Sequence, residues 1–163
     1  KKKWRNLRIR KLKLIEKYSG MLMVDKHITK NEFINLYYKS MKNKLKDKKN
    51  DNDFINSIDF FFNLVNKNFG YFITIKEKKS KKVLATSLIL KDNKSSHLVY
   101  NIANLDWKEK GIMQMLINEN FKKNVQDNIK IFDFNGANSY IGADDKHSYG
   151  SVEKLYFDIV LKG

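Results

Sequence analysis

The sequence contains no cysteine and no proline among its 163 residues. The lack of cysteine excludes disulfide bonds, zinc sites built on thiolates and catalysis by a cysteine nucleophile. No apolar run approaches the roughly 18–20 residues that a membrane-spanning helix needs, and the basic start is not followed by the apolar core of a signal peptide. We therefore expect a soluble protein of the cytoplasm.

Acidic residues are scarce in the first third of the chain. Residues 1–50 contain 17 Lys/Arg and 4 Asp/Glu, whereas the rest contains 16 and 14. This asymmetry is typical of a protein that binds an anionic partner such as tRNA, a nucleotide-linked cofactor or a membrane surface. A compositional bias toward lysine explains the charge equally well, since 30 of the 33 basic residues are lysine. Arg5, Arg8 and Arg10 depart from that bias and are therefore more informative.

The length is that of one domain with a single core. Apolar residues make up 42% of the chain and aromatic residues 13%, which is enough to build that core. We divide the chain into a basic N-terminal helix or linker, residues 1–20, and a single domain, residues 21–163.

Apolar residues at helical spacing predict four helices. The second opens with a reciprocal capping box from Thr29 to Glu32, and the fourth has Asp106 as its N-cap. Gly20 and Gly70 are placed to end the first and the third. In chain order, the predicted helices cover residues 4–18, 29–41, 54–69 and 106–121.

Short segments rich in β-branched, aromatic and aliphatic residues predict six strands. Three consecutive strands are joined by short polar turns and form a meander. In chain order, the predicted strands are residues 21–27, 71–77, 82–91, 95–103, 129–134 and 154–161. The pattern predicts an α/β protein with a mixed sheet.

Two segments near the C-terminus form a motif that resembles a known one. Residues 132–139 read Phe-Asp-Phe-Asn-Gly-Ala-Asn-Ser, and residues 145–150 read Asp-Lys-His-Ser-Tyr-Gly. They resemble the D-F-x-G-x-N-S and K-x-S-F/Y-G run of Fem-like GNAT domains, which include peptidoglycan aminoacyltransferases and acyltransferases of glycan assembly. The segment Arg-Asn-Leu-Arg at residues 5–8 is similar to the R-N-x-R-K helix before the last GNAT unit in this group. The order of helices and strands is similar as well.

The resemblance implies the GNAT acyltransferase fold, with a cleft for the donor's arm between strands 95–103 and 129–134. It implies an N-acyltransferase that moves an acyl or aminoacyl group to a small-molecule amine, on an amino sugar or peptide precursor of the cell envelope. The implied donor is acyl-CoA or another acyl thioester, or aminoacyl-tRNA, with no metal. Two alternatives remain open, a non-catalytic RNA-binding module and a degenerate GNAT unit that serves as a scaffold.

Three residues of the C-terminal motif are candidate catalytic residues. Asp133 can orient or deprotonate the acceptor amine, although an aspartate at a strand end also ties down the following loop. Asn138 can bind substrate amides or hydroxyl groups, or form an Asx-turn. Lys146 can contact a phosphate or the developing oxyanion, or form a local ion pair.

Lys108, Lys110 and Gly111 stand at a predicted helix start, where free N–H groups and two ammonium groups suit a phosphate-bearing donor. The R/Q-x-x-G-x-G/A loop of many GNAT enzymes is incomplete here, because only one glycine is present. The alternative is a solvated first helical turn.

Arg5, Arg8 and Ser148 are candidate substrate-binding residues, because they belong to the two segments that carry the resemblance. His97 lies within a predicted strand and is expected to be a packing residue. The three histidines are far apart in sequence and predict no metal site.

Overall fold

The computed structural model describes residues 5–41, 51–135 and 146–152. Within these ranges, five strands form one mixed sheet in the order β1-β2-β3-β4-β5, which confirms the predicted α/β class. The elements are α1 Asn6–Glu16, β1 Leu22–Asp25, α2 Lys30–Met41, α3 Asp51–Asn66, β2 Gly70–Glu77, β3 Val83–Lys91, β4 Ser95–Ala103, α4 Leu105–Lys108, α5 Ile112–Gln126 and β5 Ile131–Asp133. None of the helices in these ranges is long and apolar enough to cross a membrane.

The sheet is antiparallel from β1 to β4 and parallel between β4 and β5. The predicted meander is therefore confirmed. A parallel neighbour needs a crossover connection, which α4 and α5 supply. Strand β3 lies in the middle of the sheet, and residues 83–89 are all buried, because helices cover both of its faces.

The helices enclose two hydrophobic cores, one on each face of the sheet. One core contains Ile15 of α1 and Leu116 of α5, and the other contains Phe33 of α2 and Ile58 of α3. Phe33 and Ile58 are fully buried. Helix α1 thus packs with α5, whereas α2 and α3 cover the opposite face. The predicted domain boundary at residue 20 stays a prediction.

The predicted capping box is confirmed at the start of α2. The Thr29 hydroxyl accepts a hydrogen bond from the Glu32 N–H at 3.2 Å, and the Glu32 carboxylate accepts one from the Thr29 N–H at 2.8 Å. Both donors would otherwise lack a partner at a helix start.

The predicted helix at residues 106–121 is wrong at its start. The side chain of Asn104, not Asp106, caps the first turn by accepting a hydrogen bond from the Asp106 N–H at 2.9 Å. That turn, α4, ends at Lys108, and Gly111 adopts a left-handed conformation with φ of 90° before α5 begins. The break separates α4 from α5.

Other predicted boundaries also move. Helix α3 begins at Asp51, three residues before the prediction, and ends at Asn66 rather than at Gly70. Asn68 takes the left-handed conformation, with φ of 64°, that ends the helix. Phe69, the last residue of the predicted helix, is exposed. The predicted strand at residues 154–161 lies outside the described residues.

Candidate functional site

The strands β4 and β5 are paired over only three positions. Ser95 lies opposite Ile131, Ser96 opposite Phe132, and His97 opposite Asp133. Strand β5 ends there, whereas β4 continues to Ala103. Within the described residues, the pairing of these strands ends at His97 and Asp133, and the predicted opening beyond that pair stays a prediction.

Strand β4 contains a bulge two residues after its last pair with β5. Tyr100 lies opposite Leu88 and Leu98 lies opposite Ile89, so Val99 is an extra residue in β4. A bulge disrupts the ladder locally and turns the strand. Asn135 bridges the start of the opening, because its side-chain amide donates to the Leu98 carbonyl at 2.9 Å.

Asp133 is the last residue of β5 that pairs with β4. One carboxylate oxygen accepts a hydrogen bond from the Asn135 N–H at 2.8 Å, and the other lies 3.2 Å from Nδ1 of His97. Its side chain is 15% exposed and that of His97 is 38% exposed. The Asp133 carboxylate therefore holds the backbone that follows β5 and also contacts the imidazole ring of His97.

His97 is the functional candidate that the sequence reasoning missed. Asp133 is 36 residues away in sequence, so no local spacing signals their contact. The signal available was the alternation in β4 together with parallel pairing to β5, which places the two side chains on one face.

Lys146, predicted to be catalytic, lies near Asp133 in the structure. Its ammonium group donates a hydrogen bond to the Asn135 carbonyl. Partial burial lowers the pKa of Lys146, and the nearby Asp133 charge opposes that shift. The fold thus brings two of the three predicted catalytic residues together. Asn138 lies outside the described residues.

The predicted substrate-binding residues also meet. The Arg5 N–H donates to the Ser148 carbonyl at 2.9 Å, and the Arg8 Nε donates to the Ser148 hydroxyl at 2.6 Å. The Arg8 guanidinium lies 4.8 Å from the centre of the Tyr149 ring, a cation–π contact. These contacts fasten α1 to the C-terminal motif, and substrate binding by the three residues stays a prediction.

Tyr149 links the same motif to α5 and to the residue that follows β5. Its ring stacks on Phe134 with centroids 5.6 Å apart, and its hydroxyl accepts a hydrogen bond from Gln114 at 3.1 Å. Burial raises the pKa of the Tyr149 hydroxyl. Tyr149 therefore remains neutral at physiological pH.

The predicted phosphate-binding residues flank the start of α5. The Lys110 ammonium lies 4.3 Å from the Trp107 ring centre and 5.4 Å from that of Tyr18. Gly111 is buried, and a Cβ atom there would lie 2.1 Å from the Lys11 carbonyl oxygen. The backbone of α1 therefore leaves no room for a side chain at position 111, which is sufficient reason for a glycine there. A phosphate can meet Lys108 and Lys110 only at their partly exposed outer sides, and this role stays a prediction.

The described residues contain no group of His, Cys, Asp and Glu that is arranged to hold a metal ion.

No family model matches the sequence, and no curated protein matches it. Solved structures resemble the chain in fold. Glucosamine-6-phosphate N-acetyltransferase from Arabidopsis thaliana has a TM-score of 0.59 at 10% identity, over 86% of this chain and 97% of that protein. A GNAT family acetyltransferase from Staphylococcus aureus has a TM-score of 0.58 at 13% identity, over 86% and 99%.

An aminoglycoside acetyltransferase from an uncultured soil metagenomic sample has a TM-score of 0.58 at 16% identity, over 89% of this chain and 99% of that protein. At such low identities the likeness is one of fold. The five-stranded mixed sheet, in which β5 pairs in parallel with β4 over three positions, agrees with these superpositions: the chain has the fold of GNAT acetyltransferases.

Proposed function

We propose that the protein is an N-acyltransferase whose reaction takes place in the opening between β4 and β5. The observation that carries this proposal is the position of Asp133, at the last pair before the strands separate. In a GNAT-like fold, this arrangement offers a slot for an acyl donor on one side and a carboxylate for an amine on the other.

The reaction joins the amine nitrogen to the acyl carbonyl carbon and breaks the bond from that carbon to the leaving sulfur. The amine loses a proton, and the leaving thiolate gains one. Asp133 accepts a hydrogen bond from the amine and holds it in line for attack. The charge of Lys146 and the backbone of the β4 bulge favour the oxyanion that develops on the carbonyl. Asn138 is assigned to acceptor amide or hydroxyl groups.

Acyl-CoA is the donor that we favour, with an amino sugar as the acceptor class. The support is the amine chemistry in the names of two proteins of similar fold, which act on glucosamine 6-phosphate and on aminoglycosides. The test is a mass-spectrometric screen of short acyl-CoA esters with a panel of amino sugars, in which we expect a product heavier by one acyl group. Loss of the thioester without an acylated amine would contradict the proposal.

A Fem-type reaction, with aminoacyl-tRNA as donor and a cell-envelope precursor as acceptor, is the second candidate. It is favoured by the basic surface of α1, where Arg10, Lys13 and Lys17 are exposed. The same screen run with charged tRNA separates the two donors, because only one of them is consumed.

A prediction concerns the donor's phosphates. Changing Lys108 and Lys110 to Ala should raise the dissociation constant of acetyl-CoA about 10- to 100-fold, because one charge-assisted contact is worth about 1–3 kcal/mol. Calorimetry measures the change. The matched control replaces Lys78 and Lys79, two exposed lysines of the turn between β2 and β3, and removes the same charge. Equal weakening in both double variants would show a diffuse electrostatic effect instead.

A further prediction tests tRNA as a partner. If α1 binds tRNA, log affinity should fall linearly with log salt concentration, with a slope of about 0.7–0.9 for each phosphate neutralised. Replacing Arg10 and Lys13 with Gln should flatten the slope by about 1–2, as measured by filter binding across a salt series. The Gln variant of Lys78 and Lys79 should keep the original slope. A flat salt dependence for the unmodified protein would remove tRNA from consideration.

A further inference from the structure

Two aromatic rings from separate helices meet close to the start of α5. Tyr18 follows α1, and Trp107 belongs to α4. Their ring centres lie 5.6 Å apart, and the ring planes meet at 74°, so the two rings form a corner. Both rings pack against the core that contains Ile15 and Leu116, and both are partly exposed. Tyr18 and Trp107 are called the aromatic platform below.

A flexible, charged side chain lies over this platform. The Lys110 ammonium is 4.3 Å from the Trp107 ring centre and 5.4 Å from that of Tyr18, and both are cation–π contacts. An ammonium group over the rings shows that a polar group reaches this part of the platform. The contact is weak at a partly exposed site, so Lys110 can leave it at small cost. Another flat ring can therefore take its place.

The surroundings of the platform are positively charged. Helix α1, which leads to Tyr18, contains four basic residues and one acidic residue. Lys108 and Lys110 follow Trp107 in the chain, and the acidic Glu109 between them is paired with a lysine of α1 at 3.5 Å. A positively charged acceptor amine is disfavoured on such a surface. A flat ring joined to phosphate groups suits it, since nucleobases stack on aromatic side chains and lysines attract phosphates.

We propose that the aromatic platform binds the purine base of the acyl donor. This inference rests on the proposed acyl transfer, whose two candidate donors share one chemistry. Coenzyme A contains adenosine joined to phosphates, and tRNA ends in an adenosine. The base stacks on Trp107 and contacts Tyr18 with its edge, as the corner between the two rings allows. Lys110 leaves the ring when the base arrives and exchanges its cation–π contact for a stronger, charge-assisted contact with a phosphate.

Fluorescence tests the platform without any turnover. The protein contains two tryptophans, Trp4 and Trp107, so Trp4→Phe leaves Trp107 as the only emitter of its kind. We expect coenzyme A to change the Trp107 emission in a saturable way, because the base lies directly on the indole ring. Inorganic pyrophosphate carries negative charge without a base and should change the emission far less. Equal changes with both probes would overturn the inference.

The same titration with uncharged tRNA distinguishes the two sources of the nucleotide. A response to coenzyme A assigns the platform to the thioester donor. A response to intact tRNA, but not to tRNA from which the terminal adenosine has been removed, assigns it to the tRNA donor. Emission that neither coenzyme A nor intact tRNA changes would overturn the inference.

Trp107→Leu separates stacking from charge. We expect the dissociation constant of coenzyme A, or of tRNA if that is the source, to rise about 5- to 100-fold, the range for loss of one stacked base. Trp107→Phe keeps a ring and should restore most of the affinity. Calorimetry measures both variants, and thermal unfolding shows that they are folded. The matched control is Phe60→Leu, which removes a ring that is 58% exposed on α3 and should leave the affinity unchanged.

Tyr18→Leu is a second variant that should weaken binding in the same direction. Pyrophosphate binding should stay unchanged in the Trp107 and Tyr18 variants. Unchanged affinity for the nucleotide in Trp107→Leu, or an equal loss of affinity for the nucleotide and pyrophosphate, would overturn the inference even if acyl transfer is observed. If the nucleotide binds to Trp107 but no acyl group is transferred, the proposed function fails instead and the platform stands.

Discussion

Asp133→Asn should reduce kcat by about 10²–10⁴-fold with little change in melting temperature. The substitution is nearly isosteric, and the new amide oxygen can still accept the hydrogen bond from the Asn135 N–H. The lost property is the negative charge that accepts a hydrogen bond from the amine and holds it in line for attack. The measurement is steady-state kinetics together with thermal unfolding.

Asp25→Asn is the matched control for this variant. Asp25 also has an ion-pair partner, with Lys76 Nζ at 2.8 Å, but it lies on β1 at the other edge of the sheet. It should therefore leave kcat unchanged. If Asp133→Asn instead loses about 1–3 kcal/mol of stability through weaker charge-assisted bonds and the folded fraction turns over normally, Asp133 serves only the architecture of the loop.

Gly111→Ala should destabilise the protein by about 2–5 kcal/mol. An alanine at φ of 90° is strained, and its Cβ would overlap the Lys11 carbonyl oxygen at 2.1 Å. Overpacking of this kind costs about 1–3 kcal/mol in addition. The overlap between the new Cβ and the Lys11 carbonyl oxygen is relieved only if α1 moves away from the start of α5. We expect a fall in melting temperature of about 5–15 °C, from the usual scaling for a domain of this size.

Gly20→Ala provides the control for the loss of a glycine. No atom lies within 4 Å of a Cβ built at Gly20, so its effect should stay within about 1 kcal/mol. Urea unfolding of both variants compares them directly. Equal stabilities would show that α1 does not approach Gly111 as closely as the structure indicates.

The predicted elements that agreed with the structure were those with strong local signals. The capping box at Thr29 and Glu32 is a contact across three residues, and the meander follows from alternation within each strand. Element ends were less predictable, because competing signals lie side by side. Asn68 ends α3 two residues before Gly70. Asn104 caps the turn at residues 105–108, although Asp106 is also a residue type that favours the N-cap position.

The candidate site was predicted in part. Asp133 and Lys146 were singled out by their resemblance to a motif, and the fold brings them together. His97 was not, since its role depends on a partner that only the parallel pairing of β4 and β5 supplies. The contact of Arg8 with Ser148 likewise joins residues 140 positions apart.

The sequence by itself determined the helices, the meander, the excess of positive charge at the start and the exclusion of thiol chemistry, because these depend on local spacing or on composition. Only the tertiary structure decided which side chains meet. His97 contacts Asp133, α1 packs against Gly111, and the pairing of β4 with β5 ends at one particular pair of residues. These contacts arise when distant segments are packed together, and their energies depend on ångström-scale distances that sequence spacing does not encode.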